Sequence, residues 1–463
     1  MNATTGARRH GLLVGLTAAS LGIVYGYDLS NIAGALLFIT DEFGLTTRQQ
    51  ELVTTAVVLG EIAGALGAGV LANLIGRRRS MVLVAAGYAA FATLGAMSDS
   101  VPMLLVARLL LGLTIGVSVV VVPVYVAESA PARMRGSLLA GYQVATVFGI
   151  ILGYLVCYLL ADSRDWRWML ALAAVPATLV ALLLLRMPDT ARWYMLKGRV
   201  TEARRALQHL EPDSDVERDL AEIGAALREE RGGSLIEMLR RPYLRATVFV
   251  VALGFFIQIT GVNAIVYYSP KLFDAIGFRD NFALLVLPAM VQVAALAAVL
   301  VSMVLVDRLG RRPVLLCGIG AMIAADVVLV VVFAAHSPAI FGFVGVLLFT
   351  MGFTFGFGAL VWVYAGESFP SRLRSMGSSA MLTANLLANA VIAGVFLTML
   401  HSLGGAGTFA VFGVFAVSGW AFVYRYAPET KGRQLEEIRH FWENDGRWAD
   451  ELPSTARDVP ACR

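Results

Sequence analysis

Residues 125–135 read YVAESAPARMR, and residues 364–374 read YAGESFPSRLR. Each string closes a long apolar stretch. Two more pairs keep the same order and roughly the same 240-residue offset. They are Asn73-Leu-Ile-Gly-Arg-Arg with Asp307-Arg-Leu-Gly-Arg-Arg, and Pro188-Asp-Thr with Pro428-Glu-Thr. One such match arises by chance, but three in a single order do not. The chain is therefore read as a tandem duplication.

The rest of the composition says what is duplicated. Of 463 residues, 58% are hydrophobic and 15% charged. A soluble chain carries about a quarter charged residues, and one core could not hide this much apolar sequence. Twelve apolar segments lie near 11–39, 51–75, 80–97, 101–127, 138–160, 168–187, 244–276, 282–306, 313–334, 338–364, 378–401 and 406–427. A bilayer crossing needs roughly 20 apolar residues, and in lipid only a helix or a closed barrel satisfies the backbone. The expected fold is all-α: a polytopic membrane protein with twelve transmembrane helices in two six-helix bundles. Residues 1–188 form the first bundle and 244–428 the second. Residues 189–243, where Arg and Glu interleave in amphipathic patterns, form a cytoplasmic helical linker, and 429–463 a cytoplasmic tail. Parallel duplication of six helices is the layout of transporters that rock two bundles about a central site.

The formal net charge of +4 sits in short loops. Arg8 and Arg9, Arg77 to Arg79, Arg133 and Arg135, Arg308 with Arg311 and Arg312, and Arg372 with Arg374 fall in alternate loops, the pattern of the cytoplasmic side. This explains the basic balance without a nucleic-acid partner. It makes the chain a multi-pass protein of the cell membrane with both termini in the cytoplasm and the lipid bilayer as its surroundings. Basic residues precede the first apolar run, but no small-residue cleavage site ends it, so it reads as a helix and not a signal peptide. Cys157, Cys317 and Cys462 show no CxxC or zinc spacing. The five histidines are scattered and no phosphate-binding GxxxxGK[ST] string occurs. No catalytic set, metal site or cofactor is expected, so the chain does not read as an enzyme.

Several strings are more specific. Gly26-Tyr-Asp-Leu-Ser-Asn-Ile-Ala-Gly-Ala-Leu lies in helix one, Arg108-Leu-Leu-Leu-Gly in helix four and Pro188-Asp-Thr-Ala-Arg-Trp after helix six. Gln258-Ile-Thr-Gly-Val-Asn-Ala-Ile-Val-Tyr-Tyr-Ser-Pro lies in helix seven, and Pro428-Glu-Thr-Lys-Gly-Arg follows helix twelve. With Glu128-Ser-Ala-Pro and Glu367-Ser-Phe-Pro, these make the chain resemble the sugar porter family of the major facilitator superfamily from Tyr25 to Ile438. The resemblance implies secondary transport of a sugar or polyol by alternating access.

Asp28 is a carboxylate inside an apolar helix, which is costly unless it is protonated, paired or hydrated. Arg108, at a compatible depth, is the natural partner. Either the two form a static pair, or protonation of Asp28 frees Arg108 and biases which face of the bundle opens. The resemblance favours the second: proton-coupled sugar porters carry Asp here and facilitative ones Asn. Proton symport is therefore expected, the proton and the sugar being the two partners.

Amides suit a ligand rich in hydroxyls. Gln143, Gln258, Asn263, Asn385 and Asn389 lie in apolar helices, and Trp362 offers a stacking face. By resemblance Gln143, Gln258, Asn263, Trp362 and Asn385 match sugar-binding positions, and Tyr25, Tyr267 and Tyr268 match cavity or gate aromatics. For each residue alone, an interhelical hydrogen bond or simple packing is the alternative. Departures thin the expected site. Ile257 replaces one of two adjacent glutamines, Gly358-Ala-Leu-Val-Trp lacks two prolines and their kinks, and Leu386 follows Asn385 where the family has Trp. Arg77, Arg78, Glu128, Arg135, Asp307, Arg311, Arg312, Glu367 and Arg374 match a cytoplasmic charge network that cross-links the bundles in the outward-open state. Asp307 is expected to pair with Arg374. Asn73 stands where the motif has Asp, so the N-terminal half of the network is expected to be the weaker. A facilitator or exporter of another small polar molecule, and a non-transporting nutrient sensor, are the other open readings.

Overall fold

A computed structural model describes residues 2–130, 135–185, 187–210, 215–230, 234–444 and 446–448, all in helices or their connections. Twelve helices among these residues are long and apolar enough to cross a membrane. They are α1 (Val14–Phe43), α2 (Thr47–Ile75), α3 (Arg77–Ala96), α4 (Val101–Ser129), α5 (Gly141–Leu159) and α6 (Trp166–Leu184), then α7 (Leu244–Tyr267), α8 (Asn281–Leu309), α9 (Arg311–Ala334), α10 (Ala339–Glu367), α11 (Arg372–Ser402) and α12 (Gly404–Tyr426). Their surfaces are apolar outward. Leu59, Leu66, Val70 and Leu74 form one exposed stripe down α2, which suits lipid and not water.

The duplication is visible in the packing. In the first half α1 packs on α5, α2 on α4 and α3 on α6; in the second, α7 packs on α11, α8 on α10 and α9 on α12. The halves meet along two seams, α2 against α11 and α5 against α8. An even number of spans returns the chain to the side on which it started. The linker and the segment after α12 lie at this terminal end; the opposite end is called the far end.

Between α2 and α4 the backbones touch. A Cβ on Gly60 would lie 2.1 Å from the Leu109 carbonyl, and one on Gly112 would lie 1.9 Å from the Val57 carbonyl. Small residues permit this approach where water supplies no driving force between helices.

The linker holds short helices, Ala191–Leu196, Val200–Leu210, Val216–Glu230 and Leu235–Met238. Ala191, Ala203, Leu207 and Leu220 bury a small cluster of their own. Glu237 pairs with Arg372 at 2.6 Å, tying the linker to the start of α11. After α12 the chain folds back as a helix, Leu435–Glu443, which sets Trp442 on Phe249 of α7. Tyr243 donates to Glu443 at 2.9 Å, and burial with that carboxylate pushes the phenol up to about 12.

Two spans are interrupted. Gly261, at φ +94°, splits α7, and a Cβ there would strike the Phe412 ring. In α10, residues Thr354–Gly358 form a π-helical turn. The π turn is a different feature from the two proline kinks absent from Gly358-Ala-Leu-Val-Trp: an extra residue sits in the ladder.

The α2–α4 contact makes a quantitative test. Gly112→Ala should cost about 1–3 kcal/mol by overpacking and lower the thermal midpoint of the purified protein. Gly67→Ala, with open space around it, should leave the midpoint unchanged. Equal midpoints for both variants would show that the close approach does not matter.

Candidate functional site

α1 and α4 bring Asp28 and Arg108 together. Nη1 of Arg108 donates to Oδ1 of Asp28 at 2.8 Å, with the side chains only 2% and 3% exposed. The pair is incompletely bonded: Asp28 Oδ2 and Arg108 Nε have no partner among the described residues. A cavity about one water in size adjoins them, lined in part by Asn31, Phe91, Gly95 and Leu170. The surroundings are fixed by Tyr88, which donates to the Val24 carbonyl at 3.0 Å, and by Tyr27, which donates to that of Met169 at 2.8 Å. A buried pair with unused bonding capacity is poor as structural glue, and removal of either partner strands a charge at about 3–5 kcal/mol. A proton on Asp28 does so without mutation.

The amides converge from both sides of the break in α7. Gln258 donates to Asn385 at 3.3 Å, and Asn389 donates to the Tyr267 hydroxyl at 3.2 Å. Asn263, beyond Gly261, is half-buried. Gln143 is exposed, and eleven residues of helix place it on the face of α5 that carries Tyr154. Tyr154 donates across the seam to the Val266 carbonyl at 2.6 Å, so Gln143 points toward the second bundle. Trp362 is 45% exposed, and Tyr25 is half-buried. Tyr268 is fully buried and donates to the Ala393 carbonyl at 2.6 Å.

The bundles are latched at the far end. Glu51, with no exposed surface, accepts from the N–H of Thr398 at 2.7 Å and from its hydroxyl at 2.9 Å. Arg48, paired with Glu51 at 3.3 Å, donates to the Gly394 carbonyl at 2.7 Å. One ion pair of α2 thus grips one turn of α11. The sequence reading passed over it, because charges at the start of a helix look like ordinary interface residues. Glu61 and Asp326, buried carboxylates in α2 and α9, were passed over too, although each carried the signal that singled out Asp28: an acid inside an apolar run.

The repeated motifs explain one another at the terminal end. Asp189 accepts from the backbone N–H of Arg77 at 3.0 Å and of Arg78 at 3.4 Å, capping α3. Glu429 accepts from Arg311 at 3.0 Å and Arg312 at 3.1 Å, capping α9. Each acid fills the space left by a glycine at φ +103°, Gly76 or Gly310. Tyr125 donates to the Pro188 carbonyl and Tyr364 to that of Pro428. Arg78 donates to the carbonyls of Leu184 and Leu185, and Arg312 to that of Tyr424. Acids at helix N-termini and cations at C-termini satisfy orphan backbone groups. Burial pushes the Asp189 carboxyl up, opposed by the amides of Thr190, Arg78 and Arg77.

The charge network departs from expectation. Asp307 lies 3.5 Å from Arg311, one turn along, and not against Arg374; a short local pair forms without ordering two distant side chains. Among the described residues the N-terminal half is the better formed. Arg77 grips Glu128 through two bonds at 3.0 and 3.2 Å, and also donates to Asn73 at 3.1 Å. Glu128 further accepts from Thr190 at 2.6 Å and lies 3.7 Å from Arg192. Oε2 of Glu367, by contrast, has no partner among the described residues, nor has Nε of Arg374. The side chain of Arg135 lies outside the described residues. Among them, no ion pair of this set joins the two bundles.

The profile of the family described as "Sugar (and other) transporter" matches residues 14–442. The chain belongs to the sugar transporter family. Its relatives include a galactose-proton symporter of Escherichia coli, 34% identical over 91% of this chain and 92% of that one. An arabinose-proton symporter of the same species is 33% identical over 93% of each. A solved structure of the E. coli xylose transporter, titled partially occluded and inward open, superposes with a TM-score of 0.81. It shares 25% sequence identity and covers 92% of this chain and 100% of that one. In this sugar transporter the seams, the break in α7 and the far-end latch are parts of one two-bundle machine.

The latch carries a direct expectation. Hydrogen bonds to a charged group contribute about 1.5–3 kcal/mol each, so Glu51→Ala should shift the balance of states toward opening at the far end by about tenfold or more. The readout is thiol labelling of Val266→Cys with Cys317 and Cys462 replaced by serine. An unchanged labelling rate would rule the latch out.

Proposed function

We propose that the chain is a proton-coupled sugar symporter of the cell membrane that works by alternating access. The terminal end, with both termini and the linker, faces the cytoplasm. The arginine-rich loops at that end support this orientation. With the far end latched, the conformation described here is the one that is closed to the outside.

The observation that carries the coupling is the buried Asp28–Arg108 pair, 2.8 Å apart and short of partners. When the far end is open, a proton from outside reaches Asp28 and cancels its attraction for Arg108. Sugar then binds between Gln143 on one side and Gln258, Asn263, Tyr267 and Asn385 on the other. These groups sit on different bundles, so the ligand favours the state that brings them together. Closure engages Arg48 and Glu51 with α11. On the terminal side, contacts among Arg77, Arg78, Glu128, Arg135, Asp307, Arg311, Arg312, Glu367 and Arg374 set the cost of closing. Glu128 is held by Arg77 within its own bundle in this state, which fits a network released from cross-bundle contact.

The substrate is a monosaccharide of the galactose, arabinose and xylose class. Relatives named for galactose and arabinose support this. The buried Ile257 beside Gln258 removes one amide and favours a sugar with fewer hydroxyl contacts, a pentose before a hexose.

Purified protein in proteoliposomes tests the reading. With an inward proton gradient, wild type should accumulate sugar. Asp28→Asn should lose accumulation by about a hundredfold, the equivalent of about 3 kcal/mol of coupling, while retaining sugar exchange at equilibrium. Accumulation by Asp28→Asn at the wild-type level would refute symport and leave facilitated transport.

A further inference from the structure

Glu61, on α2, is 1% exposed, and its Oε1 has no partner among the described residues. Its place follows from packing. Val24 of α1 and Val57 of α2 belong to one cluster with Tyr88, Leu111 and Ile115. The two helices run in opposite directions, so Asp28 lies one turn from that layer toward the far end and Glu61 one turn from it toward the terminal end. Side chains lean toward the N-terminus of their own helix, so the two carboxylates lean toward each other. The charged and titratable groups within electrostatic reach of Glu61 are Asp28 and Tyr25 from α1, Arg108 from α4, Tyr142 from α5 and Tyr267 from α7. α3 and α11 also pack against α2: on α3 Tyr88 is engaged with the Val24 carbonyl, and on α11 Thr398 bonds Glu51.

This cluster contains two carboxylates and one guanidinium. Arg108 bonds Asp28, so in this state Glu61 has no cation left to balance it. An ionised carboxylate so buried and without a donor is strongly disfavoured. The cluster is neutral only when one of its two acids carries a proton.

Resting on the symport reading, we propose that Glu61 is a second proton-holding carboxylate of the transport cycle. When the far end closes and Asp28 pairs again with Arg108, the proton given up by Asp28 is held on Glu61 and leaves from there toward the cytoplasm. The step balances: while Asp28 is protonated, ionised Glu61 offsets Arg108. One O–H bond then breaks at Asp28 and one forms at Glu61, so the cluster is neutral before and after. Release leaves one negative charge, which water admitted from the cytoplasmic side solvates. Tyr25 lies within electrostatic reach of both acids. The arginine thus serves whichever carboxylate is ionised, and the proton moves one stage inward each time the pair re-forms.

Proteoliposomes with radiolabelled galactose, arabinose and xylose as probes supply the transport test. Glu61→Gln fixes that position neutral, so protonating Asp28 would leave Arg108 unbalanced. Gradient-driven accumulation should fall by about tenfold or more, with counterflow retained; Glu61→Asp should keep both. An infrared difference spectrum between wild type and Glu61→Gln, without sugar at neutral pH, should show a protonated-carboxyl C=O band carried by wild type alone. Should Glu61→Gln fail to fold, Glu61→Asp must shift that band. Absence of the band, no shift in Glu61→Asp, or undiminished accumulation by Glu61→Gln overturns the proposal. Loss of counterflow in a folded Glu61→Gln protein also overturns it, by making Glu61 a sugar ligand. Asp28→Asn separates the two levels. If it accumulates sugar like wild type, symport itself fails; if only Glu61→Gln behaves like wild type, symport stands and the second site falls.

Discussion

A carboxylate and a guanidinium buried side by side in an apolar bundle cannot be indifferent to a proton. Asp28 and Arg108 sit 2.8 Å apart with almost no exposed surface. Together they are neutral; one proton on the acid takes away the partner that cancels the arginine's charge, which must then be met from elsewhere. In surroundings of low polarizability that change is large beside the few kcal/mol that separate two states of a transporter. Close helix contacts hold this pair in place, and in the proposed cycle its charge state biases the two bundles.

Placement comes from close helix contact. Glycines let α2 and α4 touch backbone to backbone, and tyrosines of α1 and α3 lock the neighbouring turns. Bias comes from the seams. At the far end a single ion pair of α2 takes hold of α11. At the terminal end Arg77 and Glu128 pair within the first half and Asp307 and Arg311 within the second. The amides proposed to bind sugar lie between, Gln143 on the first bundle and Gln258, Asn263 and Asn385 on the second. In the proposed cycle ligand, proton and latch act on the same rigid-body motion, and none needs a wire of contacts to reach the others.

The architecture was legible in the sequence because lipid imposes its own arithmetic on length and polarity. Span positions, the duplication and the family were all open to reading. The Asp28–Arg108 juxtaposition was legible for a related reason: two opposite charges inside apolar runs have few places to go. The caps were not legible. Asp189 and Glu429 look like loop residues until folding brings them to the N-termini of α3 and α9, more than a hundred residues away in sequence. Glu51 hid among the charges of a helix start. Asp307 was assigned a distant partner by analogy, whereas a cation one turn away wins on entropy. The π turn of α10 was not legible either.

The central claim is that sugar and proton cross together. Its most direct test is the pH of a weakly buffered suspension of proteoliposomes or cells when galactose, arabinose or xylose is added without any imposed gradient. The account predicts that the medium turns alkaline as sugar enters, and that the Asp28→Asn variant gives no such signal. Sugar entry by the wild-type protein with no movement of protons would contradict it.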